Sequence, residues 1–211
     1  MTSACELDHL VVVAPSLARG VEYVADSIGV EPGPGGAHPR MGTHNRLLRL
    51  GEGAFLEVIA VDPTAPAPVR PRWFGLDELR PDDEPRLAAW VARTTDLRGQ
   101  VGTATELLGE VETMTRGERE WLITIRADGR APKGGALPAL IEWTAPARSA
   151  AFDLEDRGCA LARFTIEHPS AAGVSRALES LGLVGPPRIV PAARFALIAE
   201  VSTPRGLRHL A

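Results

Sequence analysis

Two polar side chains stand where apolar strands are expected. His9 lies in LDHLVVVA, a short Val-rich run from Leu7 to Ala14, and Glu57 lies in AFLEVIAV; both runs read as buried strands. Side chains alternate across a strand, so His9 shares a face with Val11 and Val13, and Glu57 shares one with Phe55 and Ile59. Each polar group therefore sits among residues that read as interior. A carboxylate in that position needs a compensating partner: a divalent metal, for which imidazole and carboxylate are suitable donors, or an arginine such as Arg49 or Arg163. For the histidine the plainer alternative is a neighbour's hydrogen bond.

The elements that must hold these groups show an internal repeat. Leu17, Val21, Val24 and Ile28 return as Leu97, Val101, Ala104 and Leu108, each moved by 80 positions (97 − 17). The spacing is one apolar stripe of an amphipathic helix, capped by Ser16 and Asp96 and closed by Gly29 and Gly109, so the same helix is predicted twice. Strand-like runs flank each copy. With one short strand inside the turn-rich GVEPGPGGAHPRMG, residues 6–62 form a βαβββ unit, and residues 87–145 form a second. A Pro-dense linker, 63–86, joins them, with one helical turn expected in FGLDELR. A third, partial βαββ-like unit is read over 159–211, where Val174, Ala177 and Leu181 echo Val21, Val24 and Ile28 at an offset of 153 (174 − 21).

Composition narrows the function classes. The chain has 211 residues, 45% of them hydrophobic, which suffices for a real core. A net charge of −4 with scattered Lys and Arg, and only 5% aromatic residues, points away from nucleic acid. MTSACELDHL lacks the positive charge of a signal peptide, and no apolar run approaches the roughly 20 residues that cross a bilayer, so a cytoplasmic protein without a membrane partner is expected. Cys5 and Cys159 read as two reduced thiols. Gly-rich GEGAF and GPGGAH lack the strand-turn-helix setting of a nucleotide loop.

Paired βαβββ units with a His on the first strand and a Glu on the last resemble the vicinal oxygen chelate superfamily, in its glyoxalase-like branch. The resemblance is carried by LDHLVVVAPSLARGVEYVADSIGV, HPRMGTHNRLLRLGEGAFLEVIA, LPALIEW and STPRG. It implies an α+β fold in which the repeated modules form a half-open cup with a divalent metal (Zn, Mn, Fe, Co or Ni) on its floor. Carried over residue by residue, the ligands are His9 and Glu57 from the first module and Glu142 from the second, where LIEWT aligns with FLEVI. The place of the second histidine is taken by Ala89. His44 in GTHN is the nearest replacement, and His44 and Asn45 are assigned to substrate binding. Glu142 is assigned as general base.

Two functions follow from the resemblance. One is a metal-dependent glyoxalase-like enzyme, of lyase, isomerase or dioxygenase type, acting on a small oxygenated metabolite. The other is a metal-free small-molecule binding or drug-sequestering protein, for which Ala89 speaks. Arg116, Arg119 and Arg194 read as surface groups that suit a carboxylate, His38 as an exposed loop residue, and His168 as a turn residue. Trp90, Trp121 and Trp143 read as packing, while Trp73 and Phe74 in the linker are placed to close the cup mouth. The apolar positions Phe164, Ile166, Leu197 and Val201 of the third unit must be covered, either on the back of the cup or in a homodimer, and the dimer is expected.

Overall fold

A computed structural model describes residues 4–102, 104–116 and 119–211. The first unit runs β1 (Cys5–Val13), α1 (Leu17–Ile28), β2 (Gly33–His38), β3 (Thr43–Arg49) and β4 (Phe55–Val61). The Ser16 hydroxyl accepts the Arg19 N–H at the start of α1, and Gly29 ends it at φ 76°, a left-handed turn that favours glycine. Val24 and Ile28 are fully buried against the sheet. Gly20 sets how closely the helix lies: a Cβ there would fall 2.5 Å from Val58 Cγ1.

The second unit runs β5 (Arg86–Arg93), α2 (Leu97–Val101), α3 (Thr105–Leu108), β6 (Glu110–Arg116), β7 (Arg119–Ile125) and β8 (Ala139–Trp143). Asp96 caps it by accepting the Gly99 N–H at 2.9 Å, and Gly109 closes it at φ 94°. Between those caps the single predicted helix is two short ones. Gly102 takes φ 37°, ψ −112°, which no helix can continue through, although Leu97, Val101 and Leu108 still reach the core.

The strands of both units form one curled sheet in the order β2-β3-β4-β1-β5-β8-β7-β6. In each unit the last strand lies parallel beside the first, β4 on β1 and β8 on β5, while β1 and β5 meet antiparallel. Leu10 pairs with Trp90, its own counterpart at the offset of 80, and the flanking pairs are His9 with Val91 and Val11 with Ala89. A local twofold therefore passes between Leu10 and Trp90, relating one half of the cup to the other. The rims approach across the β2–β6 gap, where the Arg40 guanidinium donates to the Thr113 carbonyl at 2.5 Å and both Arg40 and Arg70 pair with Glu112.

The third unit runs β9 (Ala160–His168), α4 (Ala171–Ser180), β10 (Leu183–Val184), β11 (Arg188–Pro191), β12 (Ala196–Thr203) and β13 (Gly206–Leu210). Its sheet has the order β11-β9-β12-β13, so β9 lies inside rather than beside the last strand, and β10 leaves to pair with β1. Of the echoed positions, Val174 and Leu181 are buried and Ala177 is half-buried, but the strand pairing of the cup modules is not repeated. Phe164, Ile166, Leu197 and Val201 are all buried in the core shared with α1 and the convex side of the cup, and Trp90 meets the Phe164 ring edge-on at 5.5 Å. The apolar face on which the homodimer expectation rested is thus covered within the chain.

Alternation sorts the cup sheet into two faces. Leu10, Val12, Leu56, Val58, Trp90 and Leu140 point to the helices and the third unit. Val11, Val13, Ile59, Ala89, Val91, Ile123 and Ile141 point into the concavity. A 3-10 segment of the Pro-rich linker, Trp73–Glu78, lies at that concavity with Trp73 buried. Among the described residues no helix is long and apolar enough to cross a membrane.

Candidate functional site

The concave face encloses a pocket of about 440 Å³, counted to its mouth, whose polar lining is His9, His38, Asn45, Glu57 and Arg116. Its walls are aromatic: Phe55, Trp73, Phe74, Trp121 and Trp143. Trp73 and Phe74 do come to the cup from the linker, with their rings stacked at 5.9 Å. Phe74 adopts φ 58° with Gly75 at φ 71°, a left-handed pair in which the non-glycine residue is strained by about 1 kcal/mol.

The polar groups form two buried hydrogen-bonded clusters that meet between His9 and Glu57, with His9 5%, His38 6%, Glu57 6% and Asp8 0% exposed. His9 Nδ1 lies 2.7 Å from Asp8 Oδ1, and the Trp143 indole N–H donates to Asp8 Oδ2 at 3.0 Å. Arg93 Nη1 stands 3.9 Å from that same oxygen. On the other side, His9 Nε2 faces Glu57 Oε2 at 3.6 Å, beyond a good hydrogen bond. Asn45 Nδ2 donates to Glu57 Oε1 at 2.6 Å and lies 3.5 Å from His38 Nε2, and His38 Nδ1 meets Thr43 Oγ1 at 3.1 Å. Phe55 stacks on the His9 ring at 4.5 Å.

Local chain geometry explains these positions. In β1 the register slips by one residue between Leu7 and His9, and Asp8 is the extra residue of this bulge, which brings its carboxylate beside the His9 ring. A second irregularity, between Pro34 and Ala37 in β2, wraps Gly35 and Gly36 onto Asn45. The Gly36 N–H donates to Asn45 Oδ1 at 2.8 Å, and a Cβ on Gly35 would fall 2.2 Å from both that atom and the Asn45 carbonyl oxygen. Arg116 crosses from the opposite rim, packs on Gly36 and donates to Asn45 Oδ1 at 3.3 Å.

Burial sets the charge states. His38 is pushed down from 6.5 to about 4, first by desolvation of its cation, with Glu57 opposing and Arg116, His9 and His44 adding to the depression. It is a neutral acceptor and donor at physiological pH. Desolvation also lowers Arg116, against the pull of Glu57, so the pocket holds a cation with part of its hydration removed.

The structure brings His9, Glu57 and Asn45 together and leaves Glu142 and His44 out. Glu142 Oε2 accepts the Leu97 N–H at 2.7 Å, at the start of α2 on the helix side of the sheet, while Ile141 and Trp143 line the pocket. The LIEWT alignment misleads because Val11 pairs with Glu57 as Val91 pairs with Ala139, so the counterpart of Glu57 is Ala139. Three residues is an odd shift, and it turns Glu142 to the other face, away from any shared ligand set and from a role as base. His44, on β3 with Ala60 opposite, is likewise turned away from the face that Asn45 presents.

A divalent metal does not fit these donors. His9, His38 and Glu57 are the ligand-type side chains that reach the pocket, and the twofold counterparts of His9 and Glu57, Ala89 and Ala139, carry only methyl groups. His9 Nδ1 is engaged by Asp8 and Glu57 Oε1 by Asn45, with the Arg116 cation on the same asparagine. Among the described residues no three His, Cys, Asp or Glu side chains are grouped to hold an ion.

Several pocket residues escaped the sequence reading. Asp8 is adjacent to His9 in sequence, but alternation would put it on the opposite face, and a bulge leaves no composition signal. His38 was read as an exposed loop residue, yet it ends β2 as a buried group. Arg116, Trp121 and Trp143 become lining residues because the second module curls over the first.

A family model described as a glyoxalase-like domain matches residues 7–182. Among solved structures, a hypothetical protein from Staphylococcus aureus aligns over 97% of this chain and 84% of its own at 13% identity, with a TM-score of 0.57. Methylmalonyl-CoA epimerase from Mycobacterium tuberculosis aligns over 69% of this chain and 90% of its own at 17% identity, with a TM-score of 0.43. No curated protein matches the chain. At such identities the likeness is one of fold.

Proposed function

The chain belongs to the glyoxalase-like domain family, and from that premise we propose that its cup is a metal-free site for a small, flat molecule carrying one anionic group. The observation that supports this reading is the donor set: His9 and Glu57 have alanines, Ala89 and Ala139, as their counterparts in the second module, and among the described residues no three His, Cys, Asp or Glu side chains are grouped to hold an ion. In place of an ion the pocket offers the partly desolvated Arg116 guanidinium, whose planar fork suits a carboxylate. Trp73, Trp121, Trp143 and Phe55 give the flat faces against which an aromatic or conjugated body would lie.

Tryptophan fluorescence tests this directly, because three indoles line the pocket. Titration with benzoylformate, a planar aryl carboxylate, is expected to give saturable quenching that is the same with EDTA and with added zinc. Acetophenone, which lacks the carboxylate, should bind more weakly, and Arg116→Gln should weaken benzoylformate by about tenfold or more. Binding that requires added metal, or none with or without it, would overturn the proposal.

A further inference from the structure

A second cleft opens on the convex side of the cup sheet, where the sheet and the third unit diverge. It holds about 790 Å³, counted to its mouth, and its apolar walls are Leu7, Trp90, Leu161, Phe164, Leu183 and Pro187. The chain itself keeps the two layers apart. β10 pairs with β1 in the cup sheet and β11 pairs with β9 in the other, so the link between them, Gly185-Pro186-Pro187, spans from one sheet to the next. Left-handed turns at Gly182 (φ 63°) and Gly185 (φ 62°) swing β10 out of the third unit, and two consecutive prolines stiffen the span. The width of the cleft is therefore built into the backbone.

A wall of the cleft comes from β9. Four successive residues, Leu161 to Phe164, line it, which strict alternation does not allow. The register slips opposite Glu200 and Val201, and Ala162 is the extra residue of a bulge, so Leu161 and Phe164 share the apolar wall while the exposed Arg163 reaches the same opening. Arg188 lines it too, from β11 opposite Thr165. Arg163 Nη1 is engaged by Glu200 at 3.2 Å, whereas Arg188 is exposed and has no carboxylate at ion-pair distance among the described residues.

An apolar cleft with one unpaired cation at its opening is complementary to an amphipathic anion, since burial of the body supplies affinity and the guanidinium fork fixes the head. One free guanidinium matches the single charge of a carboxylate, which a phosphate monoester exceeds. We infer that this cleft is a second ligand site, independent of the cup, for an aliphatic carboxylate whose chain lies against Trp90 and Phe164 and whose head meets Arg188.

The test follows the four indole N–H signals of nitrogen-15-labelled full chain by NMR during titration with octanoate, with 1-octanol and acetate as the chain and the head alone. The Trp90 indole N–H is buried without an acceptor, so its signal is a clean reporter of the cleft, and the other three indoles lie on the cup pocket. Octanoate is expected to shift the Trp90 signal saturably, 1-octanol to bind at least about tenfold more weakly, and acetate to leave the signal in place. Arg188→Gln should weaken octanoate by about tenfold or more, Ala162→Phe should fill the cleft and abolish the shift in a protein whose spectrum is otherwise folded, and Arg116→Gln should leave the Trp90 response unchanged. An unmoved Trp90 signal, an equal response to 1-octanol, or a response that Arg188→Gln does not weaken overturns the inference and leaves the proposed function of the cup standing.

Discussion

His38 makes the pocket's stability depend on pH in a direction that can be worked out. Its folded value is about 4 against an ordinary 6.5, with burial as the main cause. Between those values the unfolded chain holds a proton at this ring that the folded chain does not, so folding stability rises with pH. The contribution is fully present above 6.5 and is lost as the pH falls to about 4. Each pH unit in that window is worth about 1.4 kcal/mol, so the swing is about 3 kcal/mol. His38→Gln keeps a polar group near Thr43 and Asn45 but cannot titrate. Urea unfolding of both proteins at pH 7, 5.5 and 4.5 should show the stability difference between them moving steadily in the variant's favour as the pH falls. Groups remote from His38 that titrate in this range act on both proteins and cancel. A difference that stays constant, to within about 0.5 kcal/mol, would refute the neutral buried histidine.

Three substitutions probe the rest of the account. Glu142→Ala removes an acceptor from the α2 N-terminus and should cost about 1 kcal/mol in urea unfolding while leaving benzoylformate binding unchanged; lost binding would contradict its placement on the helix face. Gly35→Ala places a methyl group 2.2 Å from two Asn45 oxygens, so β2 must move away, and ligand affinity should drop by about tenfold in fluorescence titration. Phe164→Ala empties a buried contact with Trp90 between the third unit and the cup, and should cost about 3–5 kcal/mol in one cooperative transition; two separate transitions would show that the third unit is not part of the same core.

The modules were legible because a helix stripe, its caps and its flanking strands recur at one offset, and the offset is realised physically in the pairing of Leu10 with Trp90. His9 and Glu57 were legible for the same kind of reason: alternation puts both on a face with Val11, Val13, Phe55 and Ile59, and all of these line the concavity. Glu142 and His44 failed where alternation needs a register. A motif match tolerates a shift of three residues, but a strand does not, since an odd shift exchanges the faces. Asp8 was hidden by a bulge, and His38 by glycines that look like a loop yet pair as β2. The broken second helix turned on Gly102, whose backbone angle no stripe of apolar residues reveals. The third unit shares the helix pattern but not the strand order, which depends on long-range pairing.

The central claim is that the cup recognises its ligand without a metal. Elemental analysis of protein purified without chelator, beside His9→Ala prepared identically, tests it most directly. Wild type and variant should carry the same trace levels of zinc, manganese, iron, cobalt and nickel, far below one ion per chain. One ion per chain in the wild type that disappears in His9→Ala would contradict it.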